Sequence, residues 1–314
     1  MKLATYKDGS RDGQLVVVSR DLGMAHYATG IAGTLQQALD DWNFIAPQLQ
    51  DLAVTLNHGK ARHAFPFDPR MCMAPLPRAY QWVTGAAHPR PVEAQGPLQR
   101  PSDDLRGPCD DLILAQPGSG VDVGAGIAVI TDDVPQGATP ERALEGVRLL
   151  MLYNDTALAV ARQGACGERI QPGPTAFGPV AVTPDELGEA WQQGRLHLTL
   201  QITCAGRKLG MCDLADMRGS FGTLIADLCR TRRLRSGSIV GGGIVGSSPV
   251  DADGRPDWPK GHGCIADRRA AEQQRDGRAV TAYLALGDVV RLEVKGRDGQ
   301  SVFGAVEQTV AAPV

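Results

Sequence analysis

The apolar positions of this chain change rhythm along its length, and the changes mark its elements. Residues 2–6 and 15–19 are short apolar runs, the second reading LVVVS, joined by the turn-rich KDGSRDGQ, which predicts a hairpin. Two stretches with helical spacing follow, TLQQALDDW and FIAPQLQDLAVTL. From His58 to Pro77 the pattern dissolves into loop, with Pro66, Pro69, Pro75 and Pro77 restricting the backbone. These shifts predict a small amino-terminal α/β domain over residues 1–70 and a larger one over 71–314, which opens around MAPLPRAYQW.

Strands dominate the larger unit. Ile127–Thr131 is a continuous β-branched run, the pattern of a strand covered on both faces. Further strands are predicted at Val147–Tyr153, Leu196–Thr203, Ser238–Val240, Thr281–Leu286, Val289–Val294 and Ser301–Val306. Helices are fewer: Thr139-Pro140-Glu141 opens one, and FGTLIADLCRT has helical spacing. Thr183-Pro184-Asp185-Glu186 reads as a capping box with proline at the first helical position, and its helix ends near Gly194. The tripeptide DGQ recurs at Asp12–Gln14 and Asp298–Gln300, each time as a hairpin turn. Many strands with isolated helices give a β-rich α+β class.

Composition excludes several function classes. A net charge of −3 and a pI near 6.1 leave no electrostatic footprint for nucleic acid, and the basic run Arg230–Arg235 reads as a solvated helix end. Seven cysteines without C-x-x-C spacing argue against a zinc site and against a disulfide framework. The amino terminus lacks an apolar signal region, and no window approaches eighteen uninterrupted apolar residues, so the expected location is the cytoplasm, with no membrane partner.

The glycines before Ile127 invite a phosphate-loop reading, but the spacing of Gly118, Gly120, Gly124 and Gly126 is wrong and a strand follows instead of a helix. Gly241 to Gly246 does match G-x-G-x-x-G after a strand. The following SSPVDADGRPDWP is too rich in Pro, Asp and Gly to be a helix, so this segment reads as a loop of close backbone approach.

The segments MCMAPLPRAYQW, IAVITDDVPQGATPERALEGVRLLMLYND, PVAVTPDELGEAW, LHLTLQITCAGRKLGMCD, RSGSIVGGG and GCIADRRAAE follow one another in an order and spacing that resembles the bacterial branch of the fumarylacetoacetate hydrolase family. The resemblance covers nearly the whole chain. It implies a mixed β-roll with a small amino-terminal domain, a homodimer and a small-molecule substrate. It also implies Mg²⁺ or Mn²⁺ held by two glutamates in an E-x-E before the Ile127–Thr131 strand and by an aspartate ending the next strand.

Only the aspartate is kept, as Asp155; the family's DFEAE reads Asp122-Val123-Gly124-Ala125-Gly126 here. Two of three carboxylates are missing, so no metal cofactor is expected, and Asp122, next to the turn, does not simply take over. Glycine permits positive φ and leaves volume, so the expectation is a reshaped, enlarged and drier pocket. Other family positions have diverged as well. The catalytic histidine of NHVELVR has no aligned counterpart, and an arginine after the ligand aspartate corresponds to Ala159. A lysine before AFSP is replaced around Gln171 and Pro172, and a threonine facing the substrate corresponds to Ile244.

The candidate catalytic residues are therefore Asp155 and His88, the latter either a general base by position or an exposed loop histidine. Gly124, Gly126, Tyr153, Arg169, Gln171 and Ile244 are the candidate substrate contacts, and Cys166 and Glu168 share the diverged loop with Arg169. His262 and Cys264 form either an activated thiol pair or part of a structural strand; His197 reads as a solvent-facing strand residue, and Asp103, Asp104, Asp110 and Asp111 as solvated acids. Without a cation beside it, a buried Asp155 should have a raised pKa. Three functions fit these residues. The first is an enzyme working without a metal on a β-dicarbonyl or 2-oxo acid compound, by cyclisation, isomerisation, dehydration or C–C cleavage. The others are a catalytically inactive binding or scaffold protein, and a metal-dependent hydrolase with a rebuilt site.

Overall fold

The computed structural model describes residues 1–91, 96–114, 119–161, 168–247 and 260–313, and of these the side chains at 160, 161 and 168–171 stand outside the description. The chain begins with β1 (Lys2–Tyr6), β2 (Gln14–Val18) and β3 (Met24–Tyr27), then α1 (Leu35–Asp40), α2 (Trp42–Asn57) and β4 (Phe65–Pro66). Helix α1 starts where it does because Thr34 and Gln37 form a reciprocal capping box.

Strands β5 (Trp82–Thr84), β6 (Leu98–Arg100), β7 (Leu112–Ile113), β8 (Gly120–Asp122) and β9 (Ala125–Thr131) precede α3 (Pro140–Glu145), which Thr139 caps. The long β10 (Val147–Ala161) turns back as β11 (Glu168–Phe177) and β12 (Ala181–Val182). After α4 (Pro184–Leu187) come β13 (Trp191–Gln192), β14 (Arg195–Leu196), β15 (Thr199–Cys204) and β16 (Arg207–Asp213). Last are α5 (Phe221–Cys229), β17 (Ser238–Gly241), α6 (Ile265–Asp276), β18 (Val289–Lys295) and β19 (Ser301–Ala311).

Among the described residues, twelve strands form one mixed sheet whose main path is β4-β3-β2-β1-β12-β10-β9-β17-β5-β6, with β11 and β8 also on β10. The amino-terminal hairpin is continuous with this sheet, because Lys2 and Leu3 pair with Val182 and Ala181. Side chains alternate between its two faces. Leu149, Met151 and Tyr153 pack with Trp82, Phe177, Ile239 and the apolar faces of α1 and α2; Leu150 and Leu152 pack with Val83, Val240 and Phe221. A second sheet, β16-β15-β18-β19-β7, adds its inward residues to the latter cluster. No described helix is long and apolar enough to cross a membrane.

Several sequence expectations are corrected here. Thr183 makes no cap hydrogen bond; its hydroxyl accepts from the amino terminus at 2.6 Å, and α4 stops at Leu187, short of Gly194. Thr281–Leu286 is not a strand, since the Glu272 carboxylate takes the N–H groups of Val280 and Thr281 and only Leu284 bridges to Val121. The run expected at Leu196–Thr203 breaks into β14 and β15, with His197 exposed between them.

Candidate functional site

Strand β10 carries the site. It pairs with β9 so that Tyr153 lies opposite Gly126 and Asn154 opposite Ala125, and the Asp155 N–H donates to the Gly124 carbonyl at 2.8 Å. Immediately beyond, the register with β11 shifts between Asp155 and Ala157. The Asp155 carboxylate lies on the face of Trp82 and Tyr153 because residues two apart in a strand share a face, and the bulge comes only after it.

Three donors converge on Asp155 Oδ1: Arg100 Nε at 3.0 Å, Arg100 Nη2, and the Thr175 hydroxyl at 2.9 Å. The Thr175 hydroxyl in turn accepts from the indole N–H of Trp82 at 3.0 Å. Arg100 Nη2 also faces the carbonyls of Gly173 at 3.4 Å and Thr156 at 3.5 Å. The pair is enclosed, with side-chain exposures of 8% for Arg100 and 10% for Asp155. Burial pushes the Asp155 carboxyl up, as expected from sequence, while the guanidinium and the Thr175 hydroxyl pull it down. Asp155 Oδ2 and Arg100 Nη1 make no hydrogen bond with a described residue.

Arg100 was not legible in the sequence. It stands on the edge strand β6, four strands from β10 along the sheet, and reaches Asp155 only because the sheet rolls over on itself. One signal pointed to it: an acid expected to be buried without a bound metal ion needs another cation.

The two glycines differ from expectation. Neither has a positive φ, so what they supply is only the missing Cβ. A Cβ on Gly126 would lie 2.3 Å from Tyr153 Cζ, 2.4 Å from its hydroxyl oxygen and 2.7 Å from the Gly243 carbonyl oxygen. A Cβ on Gly124 would lie 2.3 Å from the Asp155 carbonyl oxygen and 3.3 Å from Ile244 Cδ1. The expected enlargement is thus corrected at these two positions, because the Tyr153 ring and the close β9–β10 backbone approach occupy the space. Tyr153 is corrected too. It is fully buried, its hydroxyl donates to the Gly243 carbonyl at 2.8 Å, and it packs edge-on against Trp82 with ring centroids 5.1 Å apart. It is a packing element and not a substrate contact. Ile244 does border the site, half-buried beside Gly124.

His88 is not brought to Asp155, nor is it exposed. A side chain at Gly241 would point at Trp82 and the Tyr153 hydroxyl, one at Gly242 at His88 Nε2 and Phe221, so His88 and Asp155 flank opposite sides of the same segment. The buried imidazole sits with Nδ1 2.9 Å from the Asp216 carbonyl oxygen. A carbonyl only accepts, so Nδ1 carries the proton and Nε2 the lone pair. Burial pushes its pKa down to about 4, which keeps the ring neutral near pH 7.

Asp122 is committed elsewhere. Its carboxylate accepts from the N–H groups of Val123, Ile265 and Ala266, the last two at the start of α6, and burial pushes its pKa up to about 7 against those donors. The activated-thiol reading of Cys264 is also corrected: its fully buried thiol has a pKa raised by desolvation, and its sulfur caps α6 and accepts from Arg90, which is itself paired with Asp267 at 2.7 Å. Arg169 and Gln171 lie in β11, but their side chains, and all of Cys166, fall outside the described residues.

The donor set does not fit a hard divalent cation. Such ions take six or more oxygens, commonly from several carboxylates. Here Gly124 lies against Asp155 and brings no carboxylate, the Asp155 Oδ1 is saturated, and a guanidinium adjoins it. Among the described residues no three His, Cys, Asp or Glu side chains cluster as a metal site.

Two family models match the chain: Fumarylacetoacetase N-terminal domain 2 over residues 1–78, and Fumarylacetoacetate (FAA) hydrolase C-terminal over residues 81–311. No curated protein sequence matches it. Among solved structures, maleylpyruvate hydrolase from Sphingobium sp. SYK-6, in complex with manganese (II) ion and pyruvate, is similar with a TM-score of 0.68 at 15% identity, covering 100% of both chains. Fumarylacetoacetate hydrolase from the psychrophile Exiguobacterium antarcticum gives 0.67 at 18% identity, again covering 100% of both. A 2-hydroxyhepta-2,4-diene-1,7-dioate isomerase from Mycobacterium marinum gives 0.60 at 15%, covering 99% of this chain and 98% of its own. At these identities the likeness is one of fold.

Proposed function

The chain belongs to the fumarylacetoacetate hydrolase family, and from that premise we propose that it acts without a divalent metal on a small β-dicarbonyl or 2-oxo acid compound. The observation that carries this reading is the state of Asp155: one carboxylate oxygen fixed by Arg100 and Thr175, the other without a hydrogen bond to a described residue. A fixed carboxylate with one free oxygen can accept the proton of an enol or of the acidic C–H between two carbonyls. That step opens cyclisation, isomerisation, dehydration and C–C cleavage alike. The substrate class is supported by the pyruvate held in the similarly folded maleylpyruvate hydrolase.

A second reading is favoured by the enclosure of the pair: a catalytically inactive member that binds such compounds or serves as a scaffold. Proton NMR of acetylpyruvate with EDTA-treated protein separates the two. Consumption by the wild type and none by Asp155→Asn supports the enzyme. Line broadening without consumption supports the binding protein. Stoichiometric Mn²⁺ in electron paramagnetic resonance titration, with turnover appearing only on its addition, overturns metal independence.

A further inference from the structure

We infer that Arg100 is the resident cation of this site, standing in for the metal ion and presenting Nη1, which makes no hydrogen bond with a described residue, to a carbonyl or carboxylate oxygen of the ligand. The first ground is what surrounds the guanidinium. Asp155 Oδ1 and the carbonyl oxygens of Thr156 and Gly173 all face it, acceptors only and one of them charged, which suits a guanidinium that can only donate. The second is charge. Two glutamates, one aspartate and a divalent ion would leave the pocket one unit negative, whereas Asp155 with Arg100 leaves it neutral, which removes a repulsion against an anionic ligand.

The third ground is the division of labour within the fork. Nε and Nη2 are used on the protein, and Nη1 is left with two N–H donors beyond them. With Asp155 Oδ2 likewise making no hydrogen bond with a described residue, the pair offers one donor group and one acceptor. The enol of a β-dicarbonyl or 2-oxo acid is complementary, since its carbonyl oxygen accepts and its enol hydroxyl donates. Lysine would not substitute, because a single ammonium cannot hold Asp155 and a ligand in the same planar geometry. The ligand half of this inference rests on the function proposed above; the cation half does not.

The test titrates acetylpyruvate into the full chain in EDTA by calorimetry, comparing wild type with Arg100→Lys and with the double variant Arg100→Met/Asp155→Leu, which leaves no buried unpaired charge. Wild type should bind, and both variants should lose at least about tenfold in affinity, the equivalent of one good hydrogen bond to a charged group. A double variant that binds within about twofold of wild type overturns the ligand role of Arg100 and leaves the proposed function standing. A wild type that neither binds nor consumes acetylpyruvate overturns the proposed function. The cation role is then read by melting: Arg100→Met alone should melt below the double variant, because it strands Asp155, and equal midpoints overturn it.

Discussion

Replacing Gly126 by alanine tests the claim that Tyr153 occupies the space a longer side chain would need. The added methyl would lie 2.3 Å from Tyr153 Cζ and 2.4 Å from its oxygen, distances no real pair of such atoms tolerates. The ring has little room to retreat, being tilted against Phe177 at 6.1 Å and edge-on to Trp82 at 5.1 Å. If it swings away, it gives up the hydrogen bond to Gly243, about 1 kcal/mol, and part of two aromatic contacts of about 0.5–1.5 kcal/mol each. If instead β9 and β10 move apart, the overpacking cost is about 1–3 kcal/mol. Either route gives a loss of roughly 1–3 kcal/mol, on the order of 2–5 °C in melting temperature. Urea denaturation of wild type, Gly126→Ala, Tyr153→Ala and the double variant measures it. The double should lose at least about 1 kcal/mol less than the two singles added together, because the methyl then enters space the ring has left. A Gly126→Ala protein as stable as wild type, or strict additivity, would refute the packing argument.

Acid should destabilise the fold through His88. Its folded pKa lies near 4 against 6.5 when free, so the unfolded chain binds the proton first and stability drains as pH falls from about 6.5 to 4. The full displacement corresponds to about 3 kcal/mol, and a His88→Gln variant should show a correspondingly flatter pH profile by urea midpoint; identical profiles would rule the buried imidazole out as the cause. Thr175→Val, close to isosteric, removes the hydroxyl that links Trp82 to Asp155 and leaves the buried indole N–H without a partner. It should cost about 1–3 kcal/mol and shift the tryptophan emission, and an unchanged spectrum with unchanged stability would contradict the bridge.

What the sequence disclosed of the fold follows the range of the interactions involved. Strands β1, β2 and β9 were legible because a continuous or paired apolar run is a local signal, and α5 because the helical spacing of its apolar residues is local too. The capping box at Thr183 was a sound local pattern with a non-local competitor: the amino terminus, 182 residues away, takes the hydroxyl. At 281–286 strand-like composition lost to a carboxylate from α6, which satisfies backbone donors that a ladder would otherwise claim.

The site shows the same limit more sharply. Glycines at the two positions where the family resemblance implies acids are visible one at a time, and they suggest vacancy. The structure shows three features there: a tyrosine ring seated over Gly126, the Asp155 carbonyl close against Gly124, and Arg100 of β6 on the Asp155 carboxylate. A glutamate returned to Gly126 would meet the Tyr153 ring, one returned to Gly124 would meet backbone, and a metal ion returned to Asp155 would meet a guanidinium that cannot give up its charge. A retained carboxylate in a buried site is therefore better read as a demand for some positive charge than as the remnant of a particular ion, and the chain meets that demand from a strand that local pattern cannot connect to it.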